Sequence, residues 1–252
     1  MFKYSVIIPT FNEENNIERC LSGLNNANEI IVIDSYSTDK TVEICKSKNV
    51  KVLLNKFKSH GKQIMYALNF VKNEWVFVID ADEKFSTNLN NELIHFSPCN
   101  KVFAYKVKRE NFFSDKRIKF GTWRNDFPIR FFQKDYCKYN ELRVHASLLC
   151  EGDIGLLSNS LFHYSYKNID HYVRKVGRFS RGAAQDMHDL GKKSSPIKIV
   201  SRSLFRFLKS YIFLRGYKDG EYGFFIALLE SFYVALKYSI LLEMNINSKK
   251  HK

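Results

Sequence analysis

With 252 residues, 45% of them hydrophobic and 15% aromatic, the chain can bury one substantial α/β core and a small appendage. Its five cysteines (Cys20, Cys45, Cys99, Cys137 and Cys150) are odd in number, scattered and without CxxC spacing, which argues against a disulfide framework and a cysteine zinc site and points to a reducing cytoplasm. The net charge of +14 is uneven: residues 165–252 hold 17 Lys and Arg against 7 Asp and Glu, which favours a polyanionic partner such as nucleic acid, anionic lipid or a phosphorylated acceptor.

The chain opens Met1-Phe2-Lys3-Tyr4 and enters a strand-like segment at once, so no secretory leader is expected. Residues 4–8 form a short apolar run that ends in Pro9-Thr10 and reads as a buried strand. Ile17, Cys20, Leu21 and Leu24 have helical spacing within residues 13–24. A second buried strand, Ile30-Ile31-Val32-Ile33, ends at Asp34. Thr38 is placed to cap a helix running through Cys45, with Asp39 in its first turn. A third strand follows over residues 50–54, a helix over residues 60–71, and a fourth strand, Trp75-Val76-Phe77-Val78-Ile79, that ends at Asp80. Continuously apolar strands alternating with helices are the pattern of a parallel sheet covered on both faces. Residues 102–139 change texture and predict antiparallel strands and loops, and from Ile169 onward the pattern is helical. The expected organisation is an α/β domain over residues 1–165 followed by a basic, aromatic helical region over residues 166–252.

Ligands of such sheets bind at the carboxyl ends of the strands, where Pro9-Thr10, Asp34 and Asp80 all fall. The sharpest local feature is Val78-Ile79-Asp80-Ala81-Asp82-Glu83, a buried strand that delivers two carboxylates two residues apart at its exit. Hard divalent cations take carboxylate oxygens. One held here would bridge the phosphates of a nucleotide diphosphate and neutralise the departing group. The plainer reading is an acidic turn that caps the next helix. Asp34 can accept hydrogen bonds from a base or a ribose, and Asn12-Glu13-Glu14 can supply further polar contacts. Acidic clusters at three strand ends repel one another unless a cation or hydrogen-bond donors compensate.

Val6-Ile7-Ile8-Pro9-Thr10-Phe11-Asn12-Glu13-Glu14-Asn15-Asn16-Ile17 resembles the opening of glycosyltransferase family 2. Glu29-Ile30-Ile31-Val32-Ile33-Asp34-Ser35-Tyr36-Ser37-Thr38-Asp39-Lys40-Thr41 resembles the second motif of that family, and Ile79-Asp80-Ala81-Asp82-Glu83 its metal motif, in the family's order and spacing. The resemblance implies the GT-A fold, a Rossmann-like sheet with helices on both faces and a mixed edge. It also implies inverting transfer of a hexose from a nucleotide-diphosphate sugar such as a UDP-hexose, with Mn²⁺ or Mg²⁺ as cofactor. By that resemblance Pro9, Thr10, Asn12, Glu13, Asp34, Asp80 and Ala81 line the donor site and Asp82 binds the metal. Lys62, within Gly61-Lys62-Gln63, stands where relatives carry a basic or small polar group near the donor; a solvated lysine at a helix start is the equal alternative.

Gly121-Thr122-Trp123-Arg124-Asn125-Asp126-Phe127-Pro128-Ile129-Arg130-Phe131-Phe132, His163-Tyr164-Ser165-Tyr166 and Arg215-Gly216-Tyr217-Lys218-Asp219-Gly220 resemble segments of lipopolysaccharide core glycosyltransferases. That likeness implies a lipid-linked glycan acceptor, often a heptose of the inner core; a polyprenyl phosphate or another surface glycan is the other acceptor class. A single inverting displacement needs a base on the acceptor side. Asp126 is the first candidate, in a segment with Trp123, which can stack on a sugar face, and with Arg124 and Arg130, which can hold phosphate. Glu141 and His145 are the other candidates. One departure bears on them: relatives read Val-His-Glu where this chain has Val144-His145-Ala146.

In the basic region Lys198, Arg202, Arg206 and Lys209 recur at spacings of four, four and three and share one helical face. That is the form of an interfacial helix on anionic lipid, or of a packed helix with a solvated basic face. Residues 222–242 are long enough to span a bilayer, but Glu230 and Lys237 are costly in hydrocarbon and favour a packed or membrane-surface helix. No known nucleic-acid motif is present, and nucleic acid is not the expected partner. The sequence therefore predicts a cytoplasmic enzyme, peripheral on the inner face of the cytoplasmic membrane. Its expected partners are a nucleotide-sugar donor, a lipid-linked glycan acceptor and an anionic membrane surface.

Overall fold

The computed structural model of the protein describes residues 1–140 and 147–250. The first strands and helices alternate as β1 (Ser5–Thr10), α1 (Ile17–Leu21), β2 (Glu29–Asp34), α2 (Thr41–Ser47), β3 (Lys51–Leu54), α3 (His60–Leu68) and β4 (Trp75–Val78). β1 runs parallel to β2 and to β4, and β2 parallel to β3. Then come β5 (Glu83–Phe85), α4 (Thr87–Ile94), β6 (Val102–Phe113), β7 (Lys116–Arg117), β8 (Ile129–Gln133), β9 (Cys137–Tyr139), β10 (Leu148–Cys150) and β11 (Asp153–Tyr166). Among the described residues the main sheet has the order β3-β2-β1-β4-β8-β6-β11-β5. β8 is antiparallel to β4 and to β6, and β11 is antiparallel to β5. Parallel strands on one side and antiparallel strands on the other make a mixed α/β sheet.

Alternation along the strands gives this sheet two apolar faces. Val6, Ile8 and Phe77 pack with Ile17, Cys20 and Leu21 of α1, Cys45 of α2, and Leu89 and Leu93 of α4. Ile7, Val76 and Val78 point the other way, into a cluster with Ile64, Ala67 and Leu68 of α3. Each such aliphatic side chain contributes about 1.5–3 kcal/mol by leaving water, so the strands are fixed in register by both layers. The carboxyl ends of β1, β2 and β4 consequently fall side by side.

Two helices start later than their spacing predicts. α1 begins only at Ile17, because the segment before it is drawn to the loop after β2. Asn12 adopts a left-handed conformation (φ 55°), and the N–H groups of Glu13 and Glu14 donate to Thr41 Oγ1 (2.8 Å) and Asp39 Oδ2 (3.0 Å). α2 begins at Thr41, and Thr38 does not cap it: the Thr38 N–H donates to Asn12 Oδ1 at 2.8 Å. The cysteine expectation is also corrected. Cys137 and Cys150 oppose each other in the β9–β10 pair and form a disulfide, a consequence of hairpin register that spacing alone does not reveal.

The chain divides into two units, Met1–Glu110 with Asp126–His163, and Asn111–Asn125 with Tyr164–Lys252. Residues 111–125 thus belong with the helical region that follows residue 163. The second unit is built on α5 (Ile169–Asp189), α6 (Pro196–Leu208), a π-helical turn (Lys209–Phe213) and α7 (Glu221–Lys250). Asn168 and Ser195 cap α5 and α6 through their side chains, and Pro196 suits the first turn of α6. Phe113, Ile118, Tyr172, Val176, Ile226 and Leu229 form its core. The Arg215-to-Gly220 segment has a structural reading here. Gly216 lies against Gly223 at the start of α7, where a Cβ on Gly223 would collide with the Gly216 carbonyl. Asp219 accepts from the N–H groups of Lys119 (3.0 Å) and Phe120 (2.7 Å). By length and composition α7 could cross a membrane, with a mean hydropathy of 1.7 over its most apolar stretch. Glu230 is nevertheless buried within the second unit, where it accepts from Trp123 Nε1 and pairs with Arg206, as suits a packed helix.

Candidate functional site

The ends of β1 and β2 are tied together by short polar side chains. Asp34 is fully buried and accepts from Thr10 Oγ1 (2.9 Å), the Ser37 N–H (2.8 Å) and Ser37 Oγ (2.6 Å). The Asn12 N–H donates to Ser37 Oγ at 2.8 Å, and Glu13 Oε2 accepts from Asn16 Nδ2 at 2.7 Å. Asp34 therefore organises two loops at the strand ends, with Pro9 and Thr10 beside it. Gln63, buried in α3, donates to Ser35 Oγ at 2.7 Å and to the Asn55 carbonyl at 2.9 Å, which fixes the loops after β2 and β3. Lys62 is exposed in the first turn of α3, where its backbone N–H donates to the capping Ser59.

After β4 the chain makes a turn closed in both directions. The Glu83 N–H donates to the Asp80 carbonyl and the Asp80 N–H to Glu83 Oε2, each at 2.9 Å. Glu83 is completely buried, and its Oε1 accepts from Arg109 Nη1 (3.0 Å) and Arg130 Nη2 (2.9 Å). Arg130 Nη2 also pairs with Asp80. Burial would raise the Asp80 carboxyl, but the Arg130 guanidinium outweighs it, with His60 and Arg109 in support. Together they hold that group well below the usual carboxylate range. The acidic turn is thus anchored by two arginines that the motif itself does not contain. Ala81, buried between the two aspartates, packs into the apolar cluster shared with α1 and β4.

Asp82 faces a different partner. Antiparallel pairing of β11 with β5 sets His163 opposite Glu83, and His163 Nε2 lies 3.6 Å from Asp82 Oδ1. Two ligands about 2.1 Å from one ion lie at most about 4.2 Å apart, so this pair is spaced to share a divalent cation. Carboxylate oxygen and neutral imidazole nitrogen are both suitable donors. No group of three or more His, Cys, Asp or Glu among the described residues could hold a metal ion. The protein would supply two ligands, leaving the other positions to phosphates and water, as Mg²⁺-type sites commonly do.

The remaining expected residues separate. Asp126 lies in the first unit, where its Oδ2 accepts from both Nε and Nη2 of Arg109 at 2.7 Å. Arg130, expected on a phosphate, is instead buried against Asp80 and Glu83. Trp123 and Arg124 belong to the second unit. There the Trp123 indole N–H donates to Glu230 Oε1 at 3.1 Å and its ring packs near Phe113 and Tyr166, while Arg124 is exposed. Glu141 and His145 lie outside the described residues. Arg109 does not stand out in the sequence, and His163 stands out there only within the His163-Tyr164-Ser165-Tyr166 segment, with no ligand role attached. Both are set by strand register over long separations.

The sequence profile described as Glycosyl transferase family 2 matches residues 5–147. An uncharacterized glycosyltransferase of Rickettsia bellii is 31% identical over 97% of this chain and 87% of its own. The lipopolysaccharide core biosynthesis glycosyltransferase LpsC of Rhizobium meliloti is 24% identical over 92% of this chain and 89% of its own. Among solved structures, S. aureus TarS has a similar fold, with a TM-score of 0.50 and 18% identity over 74% of this chain and 40% of its own.

Proposed function

The chain belongs to glycosyl transferase family 2, has the GT-A fold and uses a nucleotide-sugar donor, and from that premise we propose an inverting, metal-dependent hexosyltransferase acting on a lipid-linked glycan at the cytoplasmic face of a membrane. The observation that carries the metal dependence is the Asp82–His163 pair at the exit of β4. In this reading a UDP-hexose lies across the carboxyl ends of β1, β2 and β4. Pro9, Thr10, Asn12, Glu13, Asp34 and Lys62 surround the nucleoside, and Asp80 and Ala81 fix the turn below the diphosphate. Asp82 and His163 would hold Mn²⁺ or Mg²⁺, which would supply charge neutralisation on the leaving diphosphate. Asp126 is the base that takes the acceptor proton, with Arg109 fixing the orientation of its carboxylate. The likeness to LpsC, named for lipopolysaccharide core biosynthesis, supports an acceptor of that class, and we place it at a heptose of the inner core.

The test is a panel of nucleotide-sugars with and without Mn²⁺, read by donor hydrolysis and by thermal stabilisation. A metal-dependent response to UDP-hexoses is expected. Asp82→Asn should lower turnover by about a hundredfold or more, equivalent to about 3 kcal/mol of transition-state stabilisation, with the fold intact. His163→Asn should weaken the Mn²⁺ dependence in the same direction. No metal-dependent response to any donor, or full turnover in Asp82→Asn, overturns the reading. Turnover with polyprenyl phosphate and none with a heptose-containing core would reassign the acceptor.

A further inference from the structure

We infer that the outer surface of α6, the π-helical turn and the first turns of α7 is an insertion face for an anionic lipid bilayer, an inference that rests on the membrane-linked acceptor proposed above. α6 has no buried residue, and several of its apolar side chains point outward: Ile197 is 80% exposed, Val200 64% and Leu204 55%. These three are spaced three and four residues apart and form one stripe. Phe205 and, from the π-helical turn, Ile212 and Phe213 extend it, Phe213 being 67% exposed. On α7 a second exposed stripe, Phe224, Leu228 and Phe232, recurs every four residues. The half-buried rings of Phe207 and Tyr211 meet Phe224 at 5.9 and 5.7 Å, which packs α6 and the π-helical turn against the start of α7. Exposed apolar stripes on two helices packed in this way mark a site of association rather than a solvated helix face.

Charge selects the occupant. Of the four cations that share a face in the sequence, Arg206 is turned inward and pairs with Glu230 at 3.1 Å. Lys198, Arg202 and Lys209 are exposed and line one shoulder of the apolar stripe. Nearby in the chain, Lys218 joins Lys116, Arg117, Lys119 and Phe120, with Asp219 as the one acid, around a cleft of about 540 Å³. The second unit as a whole carries 21 Lys and Arg against 8 Asp and Glu. Pairing this face with a second copy would bring two such surpluses together. An anionic bilayer accepts the apolar stripe in its acyl region and the flanking cations among its phosphates.

The experiment uses the whole chain with vesicles of equimolar phosphatidylglycerol and phosphatidylcholine, compared with phosphatidylcholine alone. Binding to the anionic vesicles is expected to be about tenfold tighter or more and to weaken with salt. In Phe205→Trp, brominated acyl chains should quench fluorescence beyond the level seen in the parent protein. Leu204→Glu with Phe213→Glu should reduce vesicle binding by about tenfold or more while leaving thermal stability and donor hydrolysis in solution unchanged. Charge reversal at Lys198, Arg202 and Lys209 should remove the preference for anionic lipid. Absence of vesicle binding, or binding without quenching, overturns the inference. So does a dimer in sedimentation velocity that Leu204→Glu converts to monomer. Donor hydrolysis measured without vesicles keeps the two readings separate: loss of hydrolysis with intact vesicle binding counts against the catalytic reading alone.

Discussion

Among the described residues each unit buries one glutamate, and the two are satisfied by different means. In the first unit Glu83 is completely enclosed and is met by charge, with Arg109 at 3.0 Å and Arg130 at 2.9 Å as well as the Asp80 N–H at 2.9 Å. In the second unit Glu230 is met by two neutral donors, Thr122 Oγ1 and Trp123 Nε1, and one cation, Arg206. The overall charges run in parallel: 19 Lys and Arg against 18 Asp and Glu in the first unit, 21 against 8 in the second. In the balanced unit two arginines are drawn inside to hold an acidic turn in one geometry. In the basic unit a single arginine is turned inward and many other cations remain at the surface. Buried ion pairs add little net stability because desolvation offsets their attraction, so the arginines around Glu83 serve position: they fix Asp80 and thereby the direction of Asp82.

The largest expected stability effect comes from breaking the charged arrangement. Glu83→Gln leaves Arg109 and Arg130 facing each other with Asp80 and Asp126 as their remaining acidic neighbours, and removes an acceptor from the Asp80 N–H. A loss of about 3–5 kcal/mol is expected, the range for removing one partner of a buried pair, measured by urea unfolding. The metal-dependent donor response should fall with it. Glu230→Gln should cost less, about 1–3 kcal/mol, because the Trp123 indole N–H can still meet the amide oxygen, the Thr122 hydroxyl can accept from the new amide N–H, and the Arg206 side chain is 36% exposed and can turn to water. Equal losses, or a larger one for Glu230→Gln, would mean that the two carboxylates are not held in the different ways their partners suggest.

The same contrast separates what was legible in the sequence from what was not. The strands through Ile7, Val32 and Phe77 could be read because continuous apolar runs have one stable place, a sheet covered on both sides. The acidic turn at Asp80 and Asp82 was legible for the same reason, as polar residues abruptly ending such a run. Arg130 was assigned to a phosphate because it stood close to Asp126 in sequence, yet strand β8 carries it to Asp80, 50 residues away. His163 is matched with Glu83 by antiparallel register, which local spacing does not encode. The start of α1 was misplaced because Asp39 and Thr41 compete for the backbone around Glu13 and Glu14 from the far side of a strand. In the second unit the basic face of α6 was visible, but not that Arg206 would leave it for Glu230.

A smaller effect distinguishes the first unit by pH. His60, at the start of α3, has its pKa lowered from 6.5 chiefly by burial, with Arg130 acting in the same direction and Asp80 and Glu83 opposing. Tyr139 packs edge-on to its ring with centroids 6.3 Å apart. A folded-state value below the unfolded one means that the unfolded chain takes up the proton first. The stability from neutral His60 is therefore fully present above pH 6.5 and is lost as pH falls below it toward the folded value. Chemical denaturation between pH 7.5 and about 5 should show this slope, and His60→Asn should flatten it. A variant with the parent's slope would assign the pH dependence to other groups.

The smallest effect belongs to the exposed part of the second unit. Arg174 and Asp170 form a pair four residues apart on α5, with their side chains 75% and 64% exposed. In a unit with so many cations this has the form of a needed neutralisation, but water and salt already screen both groups. Arg174→Ala should leave the unfolding midpoint unchanged within error at physiological salt, and lowering the salt should not reveal a deficit. A clear loss at low salt would show that the positive surplus of this unit strains its fold, and that surface acids such as Asp170 are required to relieve it. An unchanged midpoint means the surplus is tolerated at the surface, where the chain can present it to an anionic partner without weakening the helices that carry it.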